Sequence, residues 1–187
     1  MKKRKKVTEE TPEAQTRSKR ARASRRKGKR GERVLCRRLE KAFGVPFNRT
    51  PASGGLRWGK RADVRGDVVC EEPWFPFVLE EKNREAWDLE TFLKGLGPIW
   101  KWWGQVVRDG KDTGRIPLLF VDKNRSPGFV IFRLSDVGPL LDKKPRSYMS
   151  VYKPGVGVLR LVETEEFLSK ISVEKCREAL SDVINPV

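Results

Sequence analysis

The chain has 187 residues, a net charge of +16, three cysteines and no histidine. Without histidine, a Ser-His-Asp hydrolase, a histidine-metal finger nuclease and a His-ligated zinc enzyme are excluded. The basic balance points to a polyanionic partner such as nucleic acid.

Cys36, Cys70 and Cys176 are far apart, with no Cys-x-x-Cys pair, which argues against structural zinc. They read as buried, reduced thiols of a cytosolic protein. No apolar stretch is long enough to span a membrane and there is no secretory signal, so a cytoplasmic location is expected.

Charge is concentrated at the start. Residues 1–31 hold 14 Lys/Arg and 3 Glu, and residues 32–187 hold 27 Lys/Arg and 22 acids. The first segment has almost no large apolar residue and cannot offset the entropy of ordering. Residues 1–26 are therefore expected to be a flexible basic arm that neutralises phosphates, with Lys27 to Arg30 leading into the first helix.

Lys29 to Phe43 has helical period. At about 100° per residue, Leu35, Cys36, Leu39 and Phe43 share a stripe, with Glu32 at its centre. Arg33, Arg37 and Lys41 fall elsewhere. An acid in a first helical turn complements the dipole, but this one lies on the face expected to be buried. A loop rich in Gly, Arg and Lys follows, from Asn48 to Arg65.

Next comes GDVVCEEPWFPFVLEEK. Val68-Val69-Cys70 and Phe77-Val78-Leu79 flank a Pro-containing connection, the pattern of a β-hairpin. Alternation along the second strand places Glu80 and Lys82 on one face and Glu81 on the other. Asp67, at the start of the first strand, joins Glu80 and Lys82, and such a cluster can hold a hard divalent cation beside a water. Asp109-Gly110-Lys111 and Asp142-Lys143-Lys144 also pair an acid with a nearby lysine. They lie in polar, turn-like or linker-like sequence and are set aside.

Leu89 to Arg108 is helical in period, with Phe92, Leu96, Ile99, Trp100, Trp103 and Val107 along one side and a break at Gly97-Pro98. Trp102 falls off the stripe and is expected to be exposed or interfacial. Ile116 to Asp122, Gly128 to Leu134 and Val156 to Val162 read as strands, and Thr164 to Ile184 as one or two short helices. The expected fold is α/β, a mixed central sheet flanked by helices. The expected division is an arm (1–26), a core (27–135) and a C-terminal α/β appendage (136–187) packed on the core or at a dimer interface.

A helical Glu, an Asp on one strand and Glu-x-Lys on the next form a known set. With KGKRGERVLCRRLEKAFG, NRTPASGG, GDVV, FVLEEKN and WKWWGQVV, the chain over about residues 27 to 132 resembles the PD-(D/E)XK nuclease superfamily. Within it, the likeness is to the archaeal-type Holliday junction resolvases and their bacteriophage relatives. It departs at Gly66, where the family usually has proline.

The resemblance implies a restriction-endonuclease-like core and a homodimer that makes paired cuts in four-way or branched DNA, in recombination or repair. It implies Mg2+, with Mn2+ as a substitute, and no small-molecule cofactor. Asp67 and Glu80 would be metal ligands, with the main-chain carbonyl of Glu81. Glu32 would support a second metal or its waters. Lys82 would act electrostatically, and Gln105 would support the site. Lys29, Arg30, Arg49, Ser53, Arg57, Lys60 and Arg61 would contact DNA.

Overall fold

The computed structural model describes residues 11–50, 65–85 and 87–184. Helix α1 runs from Pro12 to Phe43 as one piece. The segment expected as a flexible arm is thus helical from residue 12, and the helix starts well before Lys29. Ala, Arg, Lys and Gln dominate residues 14–27, and all are strong helix formers. The absence of apolar residues there removes a buried face, not the local preference. The helix ends at Gly44, whose φ of 70° closes it with an N–H bond of 2.9 Å to the Glu40 carbonyl.

Strand β1 (Phe47–Arg49) takes the start of the expected loop, and 51–64 lies outside the described residues. Strands β2 (Val68–Cys70) and β3 (Phe77–Asn83) form the expected antiparallel hairpin. Helix α2 (Leu89–Leu93) and helix α3 (Pro98–Thr113) then cross over to β4 (Ile116–Asp122). β4 pairs in parallel with β3 over seven residues, from Phe77 opposite Ile116 to Asn83 opposite Asp122. Pro98 opens α3, where its missing N–H costs nothing, and Gly114 closes it at φ 67°.

Strand β5 (Phe129–Arg133) follows, then a short helical turn, α4 (Leu134–Val137), with a 3-10 turn over Gly138–Leu140. β6 (Tyr148–Lys153) and β7 (Gly157–Glu163) extend the same sheet. The sequence reading did not foresee β6. The strand order is β1-β2-β3-β4-β5-β7-β6, with every pair except β3–β4 antiparallel. Helices α5 (Thr164–Leu168) and α6 (Val173–Ile184) follow.

The sheet separates two apolar layers. Leu35, Leu39, Phe77, Leu79, Phe120, Phe132, Phe167 and Cys176 pack on one face. Val78, Phe92, Ile99, Trp103, Val106, Leu119 and Ile131 pack on the other. Two expectations on the tryptophan-rich segment are corrected. Leu96 is exposed, because α2 has ended before it, and Val106 is buried in the core while Val107 is only partly so. Trp102, expected to be exposed or interfacial, is half-buried against the core.

Candidate active site

Alternation along β3 sets the site. Phe77, Leu79 and Glu81 face α1, so Val78, Glu80 and Lys82 face α3. On β2, Val68 packs in the α1 layer, which sends its neighbour Asp67 to the α3 side. The strand start is tied down firmly. The Asp67 N–H donates to the Leu79 carbonyl at 2.8 Å, the Asp67 carbonyl accepts from the Thr50 N–H at 3.0 Å, and the Thr50 hydroxyl donates to the Gly66 carbonyl at 2.8 Å.

The Lys82 ammonium bonds the Glu80 carboxylate and lies 3.6 Å from Asp67 Oδ2. Asp67 Oδ2 also accepts the Glu81 N–H at 3.1 Å. From α3, Gln105 Nε2 donates to Glu80 Oε1 at 2.7 Å. Asp67, Glu80, Lys82 and Gln105 are thus brought together, with Glu80 only 1% exposed.

Burial and then the Asp67 carboxylate push Glu80 up to about 7, against the opposing pull of Lys82. Burial pulls Lys82 down, but the Glu80 and Asp67 carboxylates outweigh it and hold the ammonium above its ordinary value. Lys82 is therefore a fixed positive charge at neutral pH, suited to stabilising anionic oxygen rather than taking a proton.

Glu32 is not part of this group. It lies on α1 and pairs with Arg49 from β1, Nε to Oε2 at 2.5 Å. Its negative charge is felt instead by Glu81, on the opposite side of β3. Burial, then Asp122, Asp67 and Glu32, push the Glu81 carboxyl up to about 8. Glu81 Oε1 and Asn83 Oδ1 are buried without a hydrogen-bond partner among the described residues. Among those residues no three His, Cys, Asp or Glu converge in metal-binding fashion.

Lys29 and Arg30 are exposed on α1, and Arg49 is half-buried and committed to Glu32. Ser53, Arg57, Lys60 and Arg61 lie outside the described residues. One site-adjacent residue had been set aside. Asp109 sits inside α3, one turn beyond Gln105, and its charge raises Glu80. Burial holds Asp109 itself above the usual carboxylate range. The signal was its four-residue spacing from Gln105, hidden because Asp109-Gly110-Lys111 looks like a turn.

The Asp67–Glu80 pair fits a hard divalent cation. Its donors are all oxygen, and the repulsion that lifts Glu80 is of the kind a cation relieves. A mixed sheet carrying an acid on one strand and Glu-x-Lys on the next, in a basic chain, is the arrangement of a PD-(D/E)XK nuclease. Residues 23–176 match the family described as "Phage putative PDDEXK endonuclease". The chain belongs to that family, and is a phage PD-(D/E)XK nuclease.

It is 27% identical over 157 residues to Protein D14 of Escherichia phage T5, spanning 81% of this chain and 95% of that one. Among solved structures it is similar to Hjc, a Holliday junction resolvase from Archaeoglobus fulgidus. The identity is 15%, covering 80% of this chain and 99% of Hjc at a TM-score of 0.38. At that score the likeness is too loose to carry residue roles across.

Proposed function

We propose that the protein is a metal-dependent, structure-selective DNA endonuclease that resolves four-way junctions by paired cuts. The observation that supports it most is the convergence of Asp67, Glu80 and Lys82 at one end of the β2–β3 hairpin, in a chain of a nuclease family. The motif set over about residues 27 to 132 supports the preference for branched DNA.

Asp67 and Glu80 would hold magnesium, with the Glu81 carbonyl as a further ligand. When bound, the ion supplies Lewis acidity and a more acidic water. Lys82 then stabilises charge developing on the phosphate, and Gln105 keeps the Glu80 carboxylate oriented. Glu32, held by Arg49, would order the α1 side of the hairpin. Two equivalent cuts on opposing strands require two sites, which a two-fold homodimer provides.

The test is cleavage of a labelled four-way junction beside a linear duplex of matched sequence, with magnesium, manganese or chelator. Paired cuts in the junction alone, lost with chelator and in Glu80→Ala while binding persists, are expected. Equal cutting of both substrates would leave a nuclease of restriction-like, repair or nicking type. Binding without cutting in either metal would defeat the catalytic reading.

A further inference from the structure

Between Gln15 and Gly31 the chain carries nine Lys/Arg, no acid and no apolar residue larger than alanine. That stretch is the N-terminal half of α1, and no core residue belongs to it until Leu35. Ties to the body lie near its C-terminal end. Lys27 pairs with Glu85, and Arg84 donates to the Ser24 hydroxyl. Both partners sit just after β3, two and three residues beyond Lys82. The basic half of the helix therefore starts from the same end of the hairpin as the carboxylate cluster.

Its charges are ordered by the helical period. Lys19, Arg22, Arg26, Lys29, Arg33 and Arg37 fall within a sector of about 80°, well away from the core stripe of Leu35, Leu39 and Phe43. All six are exposed, and none forms an ion pair with a described residue. Lys27, off this sector, is the one spent on Glu85. At about 1.5 Å per residue the row spans roughly 27 Å, with a cation about every 5 Å. Like charges three and four apart oppose one another on a free helix, and a row of phosphates relieves that opposition.

We propose that this row is a duplex-binding ridge that grips the backbone of a DNA arm leading into the active site. The choice of DNA rests on the nuclease reading above. The helix has no aromatic residue before Phe43 on which unpaired bases could stack, so its contacts are to phosphates. It has no apolar face before Leu35 to enter a lipid interface. Lys19 and Arg22 precede residue 23, where the family match begins, and the other four lie within it, so the ridge extends beyond the shared nuclease core.

The test is binding to a linear duplex of about 30 base pairs in chelator, across a salt series. Arg22→Gln/Arg26→Gln removes two charges from the ridge. Arg17→Gln/Arg25→Gln removes two from other faces of the same exposed helix. The ridge pair should weaken binding about tenfold or more and make the salt slope shallower by about two, against a shift within about threefold for the control pair. Ala23→Pro, which changes no charge but interrupts the helix, should weaken binding as the ridge pair does.

Equal losses from both pairs, or full binding by Ala23→Pro, would overturn the ridge. So would tighter binding of the wild type to an RNA duplex or to anionic phosphatidylserine vesicles with the same sensitivity to the ridge pair. Cutting is scored separately, with all variants at saturating protein in magnesium and in manganese. If binding behaves as expected and the wild type cuts nothing, the nuclease reading fails and the ridge stands. Unchanged cutting with no distinction between the pairs gives the reverse.

Discussion

Gly31 and Glu81 meet across the α1–β3 interface with no room for a side chain between them. A Cβ on Gly31 would stand 2.2 Å from Glu81 Oε1 and 2.7 Å from its Cδ. Glycine inside a helix normally costs about 1 kcal/mol relative to alanine. Here Gly31→Ala would have to displace a buried carboxyl, an overpacking cost of about 1–3 kcal/mol. After the helix gain is subtracted, a net loss of up to about 2 kcal/mol is expected, or up to about 4–8 °C in Tm. Unchanged or raised thermal stability would mean that Glu81 can swing aside freely.

The pH dependence of stability follows from the same carboxyl. Glu81 and Glu80 are raised from 4.5 to about 8 and about 7. Above about pH 4.5 the unfolded chain releases protons that the fold retains. The stability this gives is complete at lower pH. It is lost as pH rises, through about 7 for Glu80 and about 8 for Glu81. Glu81→Gln keeps a neutral group of the same shape, so urea denaturation in chelator should show a flatter decline between about pH 4.5 and 8. A variant with the wild-type slope would refute the protonated Glu81.

Arg49 and Glu32 make a largely buried pair, with side chains 25% and 9% exposed. Arg49→Ala strands the Glu32 carboxylate and should cost about 2–3 kcal/mol, discounted from the fully buried case because Arg49 keeps some solvent. Adding Glu32→Gln should recover more than half of that. If the double variant is no more stable than the single one, the two residues are not coupled through charge.

Gln105 touches Glu80 and is a positioning residue. Gln105→Ala should raise the metal concentration needed for half-maximal cutting by about 10–100-fold, with DNA affinity in chelator unchanged. An unmoved metal titration would reduce Gln105 to a packing role.

Much of this was legible in the sequence because period and chemistry agreed. The run Phe77 to Lys82 alternates in the structure as written, and Pro98 opens α3 as expected, although that helix runs past the expected Arg108 to Thr113. Other features were not legible. The helical preference of residues 12–26 is local, while the absence of apolar residues argued for disorder. The partner of Glu32 depended on where β1 runs, which a three-residue strand in a basic loop does not announce. Gly66 looked like a simple replacement for the family's usual proline. Its φ of 86°, with the Leu79 carbonyl 2.3 Å from the place of a Cβ, closes this position both to proline and to any side chain.

β3 works as a partition wall whose two sides bear different chemistry. On one side Glu80 and Lys82 face Gln105, and on the other Glu81 and Asn83 lie under α1. Its seven-residue ladder with β4 keeps the wall in step. A single residue inserted upstream within the strand would turn the wall around, trading an ion-paired carboxylate for a dry one. Length variation that respects the chemistry therefore has to fall in the turn at residues 71–76, or come two residues at a time.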